Sequence, residues 1–208
     1  MELIDRVRFL GYGGICQKFW DKAYKFYTGQ YNLNIFGVRS CNDHVGQFDD
    51  VIGIAYEDNH GKQLFLARAT TDPGKYYAQN FTNTKGVAIL VPGQYRGAFQ
   101  IGTHAPSKPA STHRALVQRK IVRVYRDRNK DNILDYDPTT IDEGMFGINI
   151  HRASKHQIMD NIGKYSAGCQ VFRSFYDFDD FMNIVDRGAK EYGNGFTYTL
   201  FTEKDIFS

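Results

Sequence analysis

The sequence predicts a mainly β chain with a few helices, on three observations. The composition favours strands and tight turns, with 14 Tyr, 16 Phe and 20 Gly in 208 residues. Short apolar or alternating runs recur along the chain, bounded by Gly, Pro, Asn or Asp. Helical periodicity shows in two stretches, one near the start and one after Cys169. The length suits one domain, or one domain with an added lobe, and suffices for a core without staples. Residues 1–30 are expected to form a helical extension packed on a domain of residues 31–208.

Within residues 1–30, Phe19, Trp20, Ala23, Tyr24 and Tyr27 fall on one helical face. Gly11-Tyr12-Gly13-Gly14 lacks the Lys and Ser/Thr of a phosphate loop and the glycine spacing of a dinucleotide loop, so it reads as a turn. Residues 32–39, 51–56 and 63–70 read as strands, the last two joined as a hairpin through a polar turn over 57–62. Thr71-Asp72-Pro73-Gly74 is a turn signal. Residues 86–91 form an apolar strand stopped by Pro92-Gly93, and 94–102 continue beyond it. Residues 103–114 read as a polar loop holding His104 and His113; it is either a surface loop or a cap over a cleft, with His104 reaching a substrate. Two strands are expected within 115–126, and a further one over 147–150 that ends on His151. In 177–185, Phe178, Phe181, Met182 and Val185 share a helical face behind an acidic first turn, the pattern of a helix packed on a core. Gly193-Asn194-Gly195 turns into a closing strand over 196–201.

Asp127, Asn129, Asp131 and Asp135 match the oxygen spacing of a calcium loop. Asn132 stands where that loop has Gly, Pro138 where it has a bidentate Glu, and the flanks read as strands. A hydrated turn and a structural calcium site both fit. No other cofactor is required.

The net charge of +3, without a basic tract, gives no indication of nucleic acid as a partner. Cys16, Cys41 and Cys169 are odd in number and widely spaced, against a disulfide framework or a zinc cluster. All three are expected to be reduced, and a Cys16–Cys41 pair would still leave Cys169 free. The charged start and the lack of a long apolar run predict no signal peptide and no membrane span, hence synthesis in the cytoplasm.

The chemistry gathers in residues 146–172. His151 closes a strand-like run, and fourteen residues separate it from Ser166-Ala167-Gly168-Cys169. A thiol needs a base to become a nucleophile, and an imidazole within hydrogen-bond reach is the usual one. The intervening stretch is long enough to bring Cys169 back beside His151. The small residues before the thiol let the backbone approach a substrate and turn amides toward an oxyanion. Cys169 is therefore the candidate nucleophile and His151 the candidate base.

The spacing His, fourteen residues, Ser-x-Gly-Cys resembles the signature of the L,D-transpeptidase catalytic domain, and Pro92-Gly93 before Tyr95 is similar to that family's strand entry. Ala167 stands where a second His is common, Arg152 where Gly is common, and Gln170-Val171 where an apolar and then a polar residue are usual. The resemblance implies an L,D-transpeptidase-like β-sandwich or barrel over 31–208 and a Cys–His pair acting on peptidoglycan stem peptides. It implies that Ser166 and Gly168 shape the substrate and oxyanion side. Arg152 or Arg173 is a candidate for a stem carboxylate, each being equally readable as a surface charge. The stretch also resembles phage-encoded lysis proteins. A chain without an export signal is then expected to be a hydrolase that reaches the bacterial wall by host lysis machinery or in a virion. Cross-link formation, or a non-catalytic wall-binding or virion protein on the same fold, are the alternatives.

Overall fold

The computed structural model describes residues 1–109 and 111–208 of the chain. Its frame starts from the hairpin of β2 (Asp50–Asp58) and β3 (Gly61–Thr70), paired in register from Asp50 opposite Ala69 to Asp58 opposite Gly61. β1 (Asn34–Arg39) pairs antiparallel with β2 and parallel with β11 (Phe196–Thr202). β5 (Gly93–His104) joins β11 to β6 (His113–Gln118). β9 (Ile150–Arg152) and β10 (Gln170–Phe172) complete the circuit back to β3. The result is a closed barrel in the order β1-β11-β5-β6-β9-β10-β3-β2. Closure removes every free sheet edge from this ring. β4 (Val87–Leu90), β7 (Val122–Asp127) and β8 (Asp142–Gly144) form a separate antiparallel sheet. The chain is mainly β, as expected.

Two clusters bury the two faces of the barrel wall. Ile35, Ile52, Ile54, Phe99, Leu116, Ile150, Phe172 and Tyr198 belong to the inner one. Phe178, Phe181, Met182 and Val185 of α3 (Phe175–Tyr192) join it, the stripe read from the sequence. Each such side chain contributes roughly 1.5–3 kcal/mol by leaving water. Ser174 caps this helix by accepting from the Asp177 amide. On the outer face, Phe36, Val38, Val51, Ala55 and Phe201 pack against α1 (Leu3–Asp21) and Ile206 of the short helix α4 (Glu203–Phe207). A half-buried strand alternates, but β1 is buried at every position because α1 covers the face that would otherwise meet water.

The N-terminal helix differs from expectation. Gly11-Tyr12-Gly13-Gly14 lies inside α1, not in a turn, although Gly11 interrupts it at φ 63°, ψ −175° and kinks it. The buried face is Leu3, Val7, Ile15, Cys16 and Phe19. Trp20 is 61% exposed, and the helix stops at Asp21, so Ala23, Tyr24 and Tyr27 lie beyond it. A short helix, α2 (Lys75–Gln79), follows the predicted turn at 71–74. Among the described residues no helix is long and apolar enough to cross a membrane.

Candidate active site

β9 and β10 run parallel, with Gln170 opposite Ile150 and Val171 opposite His151. Side chains alternate along a strand, so residues in register share a face. Ile150 and Phe172 join the interior cluster, whereas Val171 and Cys169 pack outside it with Phe48 and Ile162. His151, Val171 and Cys169 thus share the outer face of the barrel wall, under residues 153–168. The expected strand over 147–150 does not form; His151 lies inside β9 rather than closing a strand. Gly147 has φ +72°, and the amides of Phe146 and Ile148 donate to Gln118 Oε1 at 3.1 and 3.0 Å instead of to a neighbouring strand. Gln118 also donates to the carbonyls of Lys120 and Gly144, both at 2.8 Å. One buried amide side chain thereby shapes the approach to His151.

His151 is buried. Its Nδ1 lies 2.8 Å from the Arg152 carbonyl oxygen. A carbonyl only accepts, so Nδ1 carries the proton and Nε2 keeps its lone pair. Nε2 is buried and has no hydrogen-bond partner among the described residues. Burial, then the neighbouring His104, holds the imidazole well below its ordinary pKa, so it is neutral at rest. The sulfur of Cys169 accepts from the Asn149 amide at 3.5 Å and donates to the Gly147 carbonyl at 3.4 Å. Burial pushes this thiol up to about 11, with the Asn149 amide opposing the shift. Both groups are neutral, and no hydrogen bond joins them among the described residues.

Gly168 sets the sharp turn before the thiol. Its φ is +117°, and a Cβ there would sit 2.4 Å from the Ala88 carbonyl oxygen. Two expectations for this turn are corrected. The Ser166 hydroxyl is fully buried between the carbonyls of Asp72 at 2.8 Å and Cys169 at 2.9 Å, so it faces no substrate. The Gly168 amide donates to that hydroxyl at 3.1 Å and is not free for an oxyanion. The amides of Ala167 and Cys169 have no protein acceptor among the described residues.

His104 is not in a loop. It ends β5 opposite His113, which opens β6. Its ring stacks on His151 with centroids 3.9 Å apart and planes 19° apart, and His113 lies edge-on at 5.7 Å. Asn149 Nδ2 donates to His104 Nδ1 at 3.0 Å, while Asn149 Oδ1 accepts from the Gln118 amide at 3.0 Å. The polar loop expected over 103–114 narrows to the stretch between these strands, of which residue 110 lies outside the described residues.

A hollow of about 370 Å³ opens beside the three histidines. Arg152, Lys155 and Lys164 line it, with no carboxylate among its described lining residues. Arg173 lies elsewhere, paired with Asp160 at 2.7 Å. A second hollow of about 350 Å³ lies on the Ala167 side of the turn, lined by Tyr77, Phe81, Met145 and Phe146. Cys169 follows Tyr165 of the first hollow and Ala167 of the second along the chain, and lines neither.

The acidic loop is remote in sequence from this chemistry and internally bonded. Asn129 donates through its amide nitrogen to Asp131 at 3.0 Å and Asp135 at 2.9 Å, so a donor occupies the space between these carboxylates. The amides of Asn129, Asp131 and Ile133 each turn back to the side chain two residues earlier, the first of them to Asp127. Among the described residues no group of three or more His, Cys, Asp or Glu side chains is placed to hold a metal. Cys16, Cys41 and Cys169 are all free thiols.

Gln118 and Asn149 had no signature in the sequence, because an amide side chain announces its partners only once the strands are placed. Comparison of the chain with protein-family models, with curated proteins and with solved structures finds no match.

Proposed function

We propose that the chain is a cysteine enzyme that cleaves amide bonds of peptidoglycan stem peptides at the bacterial cell wall, through a thioacyl intermediate on Cys169 and on an L,D-transpeptidase-like barrel. The observation that carries this is the His151 imidazole. Its buried Nε2 has no partner among the described residues, its tautomer is set by the Arg152 carbonyl, and Val171, its neighbour across the ladder, packs with Cys169. The stem-peptide substrate rests on the resemblance of the His–Ser-x-Gly-Cys spacing. The cations Arg152, Lys155 and Lys164 beside His151 support a substrate that carries carboxylates.

In the proposed reaction the Cys169 thiol turns from the Gly147 carbonyl toward His151 and gives its proton to Nε2. The thiolate adds to the amide carbonyl, and the oxyanion takes the free amides of Cys169 and Ala167. Collapse breaks the C–N bond, and the leaving amine takes the proton from His151. Water then adds to the thioester, gives a proton to His151, and releases the acid and the thiol. An amine in place of that water would make a cross-link.

The resting thiol favours the second reading, a non-catalytic wall-binding protein. Cys169 is buried, protonated and bonded to a carbonyl, as a structural cysteine would be. Mass spectrometry of muropeptides incubated with the protein and with Cys169→Ala separates the readings. Shorter stems or separated dimers that require Cys169 are the expected result. New cross-linked products would make it a transpeptidase, and no change with folded protein would favour the scaffold.

A further inference from the structure

We propose that Asn149 and His104 are positioning residues of the Cys169–His151 pair, Asn149 holding His104 as a neutral ring stacked on the imidazole that must take up the thiol proton. The inference rests on the catalytic pairing proposed above and concerns how that pair is tuned.

Proton uptake at His151 meets an unfavourable setting. His104 at the end of β5 and His113 at the start of β6 face the ring, and Arg152 follows it on β9. Lys155 and Lys164 line the same hollow, and Lys108 acts on His104. Asp179 of α3 is an acid that acts on Arg152. A second positive charge stacked at 3.9 Å would oppose an imidazolium on His151 strongly. A neutral ring in the same place offers its electron-rich face instead.

Asn149 decides which of these His104 is. Its Oδ1 is held by the Gln118 amide, so its Nδ2 must point at His104 Nδ1. A lone pair that already accepts an N–H has no vacancy for a proton. His104 is thus fixed as the tautomer protonated on Nε2. The same residue's backbone amide donates to the Cys169 sulfur at 3.5 Å, the one donor to it among the described residues. The residue therefore touches both partners of the pair, one through its backbone and one through His104. His113 is oriented separately, by its Nδ1 on the Ser111 carbonyl at 2.7 Å.

The test is acetylation of Cys169 by p-nitrophenyl acetate in a Cys41→Ser background, followed by intact mass from about pH 5 to about pH 9. Asn149→Asp keeps an oxygen for the Gln118 amide but sets a carboxylate against His104 Nδ1. It is expected to move the acid limb of the rate upward by about one pH unit, because His104 now protonates first. His104→Leu is expected to slow acylation about tenfold, and His104→Phe, which restores an aromatic face, to recover part of that loss. Nitrogen-detected imidazole spectra should show His104 protonated on Nε2 in the parent protein and on both nitrogens in Asn149→Asp near neutral pH. If His151→Ala abolishes acylation while neither His104→Leu nor Asn149→Asp changes rate or profile, the positioning role is overturned and the Cys–His pair stands. If His151→Ala leaves acylation unchanged, the pair itself fails and this inference with it.

Discussion

The Cys169 thiol donates to the carbonyl of Gly147 at 3.4 Å and not to His151, whose buried Nε2 has no partner among the described residues. Cys169 immediately precedes β10, which runs parallel to the strand that carries His151, so the proposed chemistry requires the thiol to turn from Gly147 toward His151. The arrangement keeps the sulfur protonated at rest. It also predicts how the free protein behaves toward thiol reagents.

Burial raises Cys169 to about 11, so at neutral pH its thiolate fraction is on the order of 10⁻⁴, against roughly one per cent for an ordinary thiol. Alkylation by iodoacetamide at pH ~7 should therefore be about a hundredfold slower than that of a free cysteine and should rise steadily toward pH ~10. Peptide mapping assigns the rate to Cys169 rather than to the exposed Cys41. Labelling at the rate of a model thiol would mean that the resting hydrogen bond to Gly147 does not hold in solution.

The histidine cluster makes stability depend on acid. His104, lowered to about 4, and His113 and His151, both lowered, are desolvated first of all, and each gains a proton more easily in the unfolded chain. A depressed folded value means stability that is present above the unfolded value near 6.5 and is lost as pH falls through the folded one. The urea midpoint should thus decline between about pH 6.5 and about pH 4. His104→Gln should flatten that decline even where it lowers the midpoint at pH ~7. Parallel curves for the two proteins would show that His104 does not contribute.

Gly168→Ala tests the turn that carries the nucleophile. A side chain at φ +117° is strained by roughly 1–3 kcal/mol, and the added carbon would meet the Ala88 carbonyl oxygen at 2.4 Å. Backbone against backbone cannot give way as a flexible side chain does. The variant is expected to lose at least 2 kcal/mol or so in denaturant unfolding, and any folded fraction should lose Cys169-dependent turnover because the thiol is displaced. An Ala variant of full stability would show that the turn relaxes, which the contact with β4 argues against.

The two candidate reacting groups were legible in the sequence because their chemistry is carried by residue type and spacing. His151 lies in β9, and Cys169 immediately precedes its parallel neighbour β10. The β2–β3 hairpin and the apolar stripe of α3 were legible for the same reason, since period and turn residues are local properties. Position 147 was not: Gly147-Ile148-Asn149-Ile150 has strand composition, yet Gln118 takes the amides of Phe146 and Ile148 from thirty or so residues away in sequence and keeps the segment out of the ladder. Ser166 illustrates the converse. The small residue before the thiol was read as substrate-facing, but the fold brings the Asp72 carbonyl to its hydroxyl and makes it a clamp. The parallel pairing of β1 with β11, which joins the first and last strands, rests on no local signal.

The clamp leads to the last prediction. Asp72 is buried with Arg39, whose Nε lies 2.8 Å from its Oδ1, and the two form an ion pair. Arg39 donates in addition to the Thr71 hydroxyl at 3.0 Å, the Thr71 carbonyl at 2.9 Å and the Leu90 carbonyl at 2.9 Å. Asp50, buried close by, accepts from the Thr71 amide and hydroxyl, and burial beside Asp72 and Asp49 holds its carboxyl well above the ordinary range. One guanidinium therefore serves two buried acids and the turn at 71–74. Removing it in Arg39→Met leaves Asp72 uncompensated, and the loss should be on the order of 3–5 kcal/mol by urea unfolding at neutral pH. Because Asp72 protonates more readily without its partner, the deficit should shrink as pH falls, the reverse of the trend set by the histidines. The effect should also reach the site, since the Asp72 carbonyl holds Ser166 and the Gly74 amide donates to the Ser166 carbonyl at 2.9 Å. Asp72→Asn in the Arg39→Met background removes the stranded charge and should recover part of the stability. A deficit that is independent of pH and not relieved by Asp72→Asn would show that Arg39 acts by packing and hydrogen bonds rather than by charge.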